Sequence, residues 1–181
     1  MNLEPGESLI RDGVPVVPDD AYFMRAALRC ARQAASAGEV PVGAVAVADG
    51  RILARAWNQV EQLKDATAHA EVLVIGAVSS VIQDWRLDQV DIYVTKEPCA
   101  MCAGAMVNAR VRRVIYGMAD PRSGCAGSAL NVTGFQGMLH QVTVVGGILA
   151  PECTALMREF FQSVRGKKDL PGQRSCTSCD F

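Results

Sequence analysis

Short apolar runs rich in β-branched residues alternate with helical segments along this chain, and this alternation restricts its fold more than any other feature. The run over 40–48 is followed by Asp49-Gly50, a two-residue hairpin signal, and by a second strand over 51–57. Further strands are predicted at 92–95, 111–116 and 142–145, and helices at 19–37, 67–81, 100–108 and 154–164. Strands alternating with helices favour the α/β class, with a mixed sheet of about five strands covered by helices.

The length of the chain limits it to one compact domain. With 181 residues, 50% of them apolar, it can form one real core but not two ordinary ones. We expect a loosely ordered N-terminal extension over 1–18, a domain over 19–166 and a C-terminal tail over 167–181. No apolar run approaches the roughly 18 residues of a membrane span. The seven cysteines are an odd number and do not resemble a secreted disulfide framework, so we expect reduced thiols and a cytoplasmic protein.

The total charge neither supports nor excludes a polyanionic partner. Lys and Arg number 18 against 19 Asp and Glu, but the signs are unevenly distributed. The first twenty residues carry five acids and one base, unlike a secretory or import leader. The last helix and the tail are basic, with Arg158, Arg165, Lys167, Lys168 and Arg174.

Two short segments carry the chemistry. His69 and Glu71 stand two residues apart at the predicted start of a helix, and Cys99 and Cys102 form a Pro-Cys-x-x-Cys segment after a strand. One imidazole and two thiolates suit zinc and leave its fourth position to water, which is the pattern of a catalytic site. Zinc lowers the pKa of such a water to about 7, and Glu71 is spaced to carry its proton without binding the metal.

A purely structural zinc site is the less favoured alternative. Such sites normally have four protein ligands, and the remaining candidates are His140 and the distant pair Cys176 and Cys179. Glu71 alone would be interpreted as a helix N-terminal acid, which stabilises a helix by about 0.3–1 kcal/mol. Its spacing from His69, together with the cysteine pair downstream, makes the catalytic interpretation stronger.

The His-x-Glu and Pro-Cys-x-x-Cys segments are the signature of zinc-dependent nucleobase deaminases. The chain from about 20 to 165 resembles, more particularly, the bacterial tRNA-specific adenosine deaminases within the cytidine deaminase superfamily. The matching segments are 38–44, 57–58, 67–71, 97–106, 116–120, 124–128 and 159–161. The resemblance implies a three-layer α/β/α fold, one zinc per subunit, and conversion of the wobble adenosine of an anticodon to inosine, chiefly in an arginine tRNA. It also implies a homodimer that binds the anticodon stem-loop.

The resemblance also implies residue roles. His69, Cys99 and Cys102 would hold zinc, and Glu71 would move protons from water to ring nitrogen 1 and to the departing ammonia. The expected substrate contacts are Asn58 and Val42 around the base, and Asp120 and Arg122 on the ribose-phosphate chain. Backbone amides around Cys99 would stabilise charge that develops on the attacking oxygen.

Some positions depart from the family pattern or have ordinary explanations. Lys96 stands where an apolar residue is commoner, which places a cation at the rim of the site. Thr67 is a possible cap of the second helix. Of Phe160 and Phe161, one is expected in the core, and Cys30, Cys125 and Cys153 are expected to serve as small apolar residues. The Cys176/Cys179 tail is expected to be disordered, with incidental cysteines.

Two further functions stay open from the sequence. One is a deaminase of a small molecule such as guanine, cytidine or a nucleotide, which would share the metal centre. The other is a zinc-stabilised binding protein without catalysis, which requires that Glu71 be dispensable.

Overall fold

The computed structural model describes residues 10–11, 14–15 and 18–168 of the chain. Strands β1 (Ile10–Arg11) and β2 (Val14–Pro15) pair antiparallel. Most of the predicted extension at 1–18 and nearly all of the predicted tail lie outside the described residues, including Cys176 and Cys179. The division of the chain into extension, domain and tail therefore stays a prediction.

A mixed sheet of five strands forms the centre of the domain, as the alternation predicts. Its order is β4-β3-β5-β6-β7; β3 pairs antiparallel with β4 and β5, whereas β5, β6 and β7 are parallel. The β3–β4 turn has positive φ at Asp49 and Gly50, which is the backbone that a tight hairpin needs. The strands are β3 (Gly43–Ala48), β4 (Arg51–Trp57), β5 (Asp91–Lys96), β6 (Arg113–Met118) and β7 (Thr143–Gly146).

Helices cover both faces of this sheet, which confirms the three-layer α/β/α fold. Side chains alternate along a strand, and Val45 of β3 packs with Phe23 of α1, while its neighbour Ala44 packs in the opposite layer with Val74 of α3. Burial on both faces explains why β3 is a continuous apolar run rather than an alternating one. The helices are α1 (Asp20–Ser36), α2 (Val60–Leu63), α3 (Ala70–Ile82), α4 (Ala100–Asn108) and α5 (Ala150–Lys168).

Helix α1 lies unusually close to the start of β3. A Cβ atom on Gly43 would lie 2.3 Å from the carbonyl oxygen of Ala27 and 2.3 Å from the amide nitrogen of Ala31. Both atoms belong to helix backbone and cannot move independently. Gly43 therefore fixes the spacing between α1 and the sheet beside the functional site.

Two helix starts differ from the sequence prediction. Thr67 does not cap α3, because both its amide and its hydroxyl bind the carboxylate of Asp65 at 2.7 Å; the N-cap is His69. Helix α5 begins at Ala150, four residues before the predicted start. Short helix α2 was not expected from the sequence. Within the described part of the chain, no helix combines the length and the apolar character needed to cross a bilayer.

Candidate metal centre and substrate pocket

The three predicted metal ligands come together at the N-termini of two helices. His69 is the N-cap of α3 and Cys99 is the N-cap of α4, which follows β5 directly. The Nδ1 atom of His69 lies 3.7 Å from Sγ of Cys99 and 3.5 Å from Sγ of Cys102, and the two sulfur atoms are 3.6 Å apart. Among the described residues, this is the one cluster of three or more such side chains that could hold a metal ion.

The distances between these ligand atoms fit zinc. Tetrahedral geometry with Zn–S of about 2.3 Å and Zn–N of about 2.05 Å places two sulfurs about 3.8 Å apart, and a sulfur and a nitrogen about 3.6 Å apart. The three observed separations differ from these values by about 0.2 Å or less. Two thiols and one imidazole are also the donors that zinc prefers.

The electrostatics of the cluster favour a thiolate at Cys99. Hydrogen bonds with Cys102 and His69 lower the pKa of Cys99 to about 3. The hydrogen bond with Cys99 in turn raises the pKa of His69, while the bond to Cys99 and burial raise the pKa of Cys102. The positive end of the α4 dipole acts on Cys99 in the same direction.

Glu71 lies in the first turn of α3, beside the cluster but outside the ligand set. The residue is 4% exposed, and its Oε2 atom is a buried oxygen without a hydrogen-bond partner among the described residues. Burial raises the pKa of this carboxyl group, more than its own backbone amide and His69 lower it. A buried oxygen of this kind at a metal centre is suited to receive and release a proton.

A pocket of about 480 Å³ opens onto the cluster. Its volume falls in the range of about 300–1,000 Å³ that is usual for small-molecule sites. Val42 and Asn58, two of the predicted substrate contacts, line this pocket together with His69, Glu71 and Cys99. Helix α5 contributes Phe160 and Val164 to the lining.

The phenylalanine pair of α5 does not behave as the sequence predicts. Phe161 is 44% exposed, and Phe160 is only partly buried and lines the pocket. Neither belongs to the core, because the buried face of α5 is formed by Cys153 and Met157.

The expectation for Cys30, Cys125 and Cys153 is confirmed, since all three are buried and free of disulfides.

Asp120 and Arg122, the other predicted substrate contacts, lie outside the pocket lining. The carboxylate of Asp120 accepts from Lys96 Nζ at 2.5 Å, from the Ser123 hydroxyl and from the amides of Arg122 and Ser123. Burial raises the pKa of Asp120, but the bonds from Lys96 and Ser123 outweigh it and hold this pKa well below its usual range. Lys96 lines the pocket, as the rim position predicts, and Arg122 is exposed.

Glu97 organises the loop that carries these groups, and the sequence assigned it no role. Its Oε1 accepts from the amides of Ala126 and Ser128 at 3.1 and 3.0 Å, and its Oε2 accepts from the amide of Asp120 at 2.9 Å. A Cβ atom on Gly124 would lie 2.3 Å from the same carboxylate, so the loop wraps closely around it. The position of Glu97 directly before Pro98 was the available sequence signal.

Glu39 is a second acid whose role the sequence did not reveal. It lies between α1 and β3, is 1% exposed and forms part of the pocket wall. Its Oε2 accepts from Nδ2 of Asn58 at 3.0 Å, and its Oε1 accepts from the backbone amide of Gln62 at 2.7 Å. A glutamate two residues before a proline in a loop is ordinary by itself, and only its burial distinguishes Glu39.

Comparisons with known proteins agree with this site. The model of the MafB19-like deaminase family matches residues 18–165. The tRNA-specific adenosine deaminase of Bacillus subtilis (strain 168) is 44% identical, covering 82% of this chain and 92% of that protein. The enzyme of the same name from Agrobacterium fabrum (strain C58 / ATCC 33970) is 42% identical over 80% of this chain and 95% of its own. A solved structure from a study of A-to-I editing by tRNA:A34 deaminases has a TM-score of 0.72 and 41% identity, covering 75% of this chain and 98% of that one.

Proposed function

This chain belongs to the tRNA-specific adenosine deaminase family, and from that membership we propose that it converts the wobble adenosine of a tRNA anticodon to inosine. The observation that carries the proposal is the buried Glu71 carboxyl group, which lies beside a His-Cys-Cys cluster and faces a pocket large enough for a base. The reaction consumes water and releases ammonia.

Zinc held by His69, Cys99 and Cys102 would supply a Lewis acid that lowers the pKa of a water molecule to about 7. Glu71 accepts a proton from the attacking water and delivers it to ring nitrogen 1 of adenine as the new bond forms at carbon 6. Glu71 then carries the remaining proton of the oxygen now bonded to carbon 6 to the amino group. The bond between carbon 6 and the amino nitrogen breaks, and ammonia and inosine leave. The backbone amides around Cys99 stabilise negative charge on the attacking oxygen.

The pocket walls would contact the base, and charged residues outside the pocket would contact the ribose-phosphate chain. Val42 and Phe160 offer apolar contact to the base, and Asn58 offers its amide. The exposed Arg122 supplies positive charge where the ribose-phosphate chain would pass, and Arg158 and Arg165 add exposed positive charge on α5. An arginine tRNA as substrate, a homodimer as the active form and a cytoplasmic location are part of the same proposal.

Inosine mapping tests the proposal directly. Purified protein with about one zinc per chain should form inosine at the wobble position in a total tRNA pool and in an isolated anticodon stem-loop. Free adenosine, guanine and cytidine should not be deaminated. Ammonia released from guanine or a free nucleoside, with no inosine in RNA, would contradict it and favour a small-molecule deaminase.

Glu71→Gln separates catalysis from metal binding. This substitution keeps the side-chain volume and removes the proton carrier, so we expect zinc content to be unchanged and kcat to fall by about 10²–10⁴-fold. Glu152→Gln, the same change at an exposed site on α5, is the matched control and should be neutral. An active Glu71→Gln enzyme would refute the proton-transfer role of Glu71.

A further inference from the structure

Glu39 and Asn58 form a buried hydrogen-bonded pair at the wall of the pocket. Both oxygens of Glu39 are engaged, one by the Asn58 side chain and one by the backbone amide of Gln62. Among the residues that the structure describes, no cation forms an ion pair with Glu39. This carboxylate is therefore compensated by N–H donors alone, in a place where burial makes each hydrogen bond costly to lose.

A carboxylate in this place selects one of two orientations of the Asn58 amide. Oxygen and nitrogen of an asparagine amide have nearly the same shape, so packing alone does not distinguish the two. A carboxylate only accepts hydrogen bonds, so Nδ2 must face Glu39. The backbone of Asn58 is held separately, because its amide donates to the carbonyl of Val42 at 2.9 Å. The Oδ1 atom and the second Nδ2 hydrogen stay available to a ligand.

We propose that Glu39 is a positioning residue that determines the order in which Asn58 presents its acceptor and its donor to the substrate base. Each edge of a base carries hydrogen-bond donors and acceptors in a fixed order. If the side-chain amide of Asn58 were reversed, its N–H group would face a donor of the base instead of an acceptor. The inference rests on the proposed function, since it assumes that the pocket receives a base. Glu39 does not touch the reacting atoms and acts through Asn58.

The substitution Glu39→Gln should reverse the amide while keeping the packing. The backbone amide of Gln62 cannot turn, so the new side-chain carbonyl must stay on it. The new amino group then faces Asn58 and can only donate, which draws Oδ1 of Asn58 toward it. Both hydrogen bonds survive, but their direction between the two side chains is inverted.

The double substitution Glu39→Gln/Asn58→Asp tests this inversion. A carboxylate at 58 accepts from the amide at 39 and again presents an acceptor to the pocket. Asn58→Asp alone places two carboxylates against each other, which is unfavourable. The double variant should therefore be more active than Asn58→Asp, although it carries one more substitution.

The assay is deamination of an anticodon stem-loop with adenosine at the wobble position, under single-turnover conditions. Glu39→Gln should lower kcat/KM about 10–100-fold, the value of one well-formed base contact, with zinc content and melting temperature unchanged. The double variant should exceed Asn58→Asp by about tenfold or more. In parallel, ¹⁵N NMR should show that the Nδ2 proton of Asn58 that is bonded to Glu39 loses its hydrogen bond and moves upfield in Glu39→Gln, a readout that requires no activity. A proton that stays downfield would show that the amide has not reversed.

The outcomes distinguish the two proposals. If wild-type protein forms no inosine in RNA, the proposed function fails, and the NMR shift alone judges the orientation of Asn58. If the wild type is active but Glu39→Gln equals it, or if the double variant is no better than Asn58→Asp, the positioning role is refuted. A loss of activity that follows a loss of melting temperature would show that Glu39 only caps α2.

Discussion

Replacing Glu97 with glutamine should destabilise the protein through the loop at 120–128. The native carboxylate accepts three backbone N–H bonds, two at Oε1 and one at Oε2. The side-chain oxygen of a glutamine can still accept hydrogen bonds from the backbone amides of Ala126 and Ser128. The side-chain amino group of the glutamine then faces the backbone amide of Asp120, which is also a donor. One bond to a charged acceptor is lost and a buried donor loses its partner.

The magnitude follows from these contacts. A hydrogen bond to a charged group contributes about 1.5–3 kcal/mol, and an unpaired buried donor costs about 1–3 kcal/mol. Because the loop can relax partly toward solvent, we expect the free energy of unfolding to fall by about 2–4 kcal/mol. For a chain of this size, each 1 kcal/mol lowers the melting temperature by about 2–4 °C. The expected decrease in melting temperature is therefore about 5–15 °C.

Urea unfolding monitored by circular dichroism measures this change, with zinc content determined in the same samples. Glu159→Gln is the control, because it makes the same chemical change at an exposed position away from both ends of α5. Zinc should be retained, since Glu97 contacts loop amides and not the metal ligands. A decrease below about 0.5 kcal/mol with zinc retained would refute the view that this carboxylate holds the loop together.

Two further predictions concern charge. Asp91→Asn should lower the free energy of unfolding by about 2–4 kcal/mol at pH 7, because Arg112 and Arg113 bind this buried carboxylate at 2.7 and 2.6 Å. Burial raises the pKa of Asp91, but the two arginines outweigh burial, so the pKa in the folded protein lies below the ordinary value of 3.8. The stabilisation by this carboxylate is therefore fully present above pH 3.8 and is lost as the pH falls through the pKa of the folded state. Equilibrium unfolding of both proteins between pH 7 and pH 3 should show their difference shrinking, and a constant difference would contradict the ion-pair explanation. Arg122→Met should weaken stem-loop binding and reduce the slope of log affinity against log salt by about 0.7, because Arg122 is exposed, whereas Arg51→Met at the far hairpin should not. An equal effect of both substitutions would argue against a phosphate contact at Arg122.

The features that were predictable from sequence are local ones. The hairpin at Asp49-Gly50 depends on two adjacent residues that accept positive φ. The cysteine pair is placed by a single helical turn, since three residues of helix bring Cys99 and Cys102 to the same side. The start of α3 was mispredicted for a local reason too, because Asp65 competes for Thr67.

The two buried acids whose roles escaped prediction both join residues far apart in the chain. Glu39 and Asn58 are separated by 19 residues, and Glu97 is separated by 23 to 31 residues from the amides that it binds. No period or spacing connects them, because their contacts depend on how closely α1 approaches β3 and on how the loop at 120–128 folds back over β5.

The sequence by itself therefore determined the class of fold and the types of donor atom at the metal centre, because alternating hydrophobicity and each of the two short motifs act over a few residues. The meeting of His69 with Cys99 and Cys102, 30 and 33 residues away, depends on the fold. Only the tertiary structure decided which acids are buried and what each one holds. Burial makes an unsatisfied carboxylate costly, so Glu39 and Glu97 acquire partners that order Asn58 and the loop beside the pocket. The same two residues in an unfolded chain would be ordinary solvated charges.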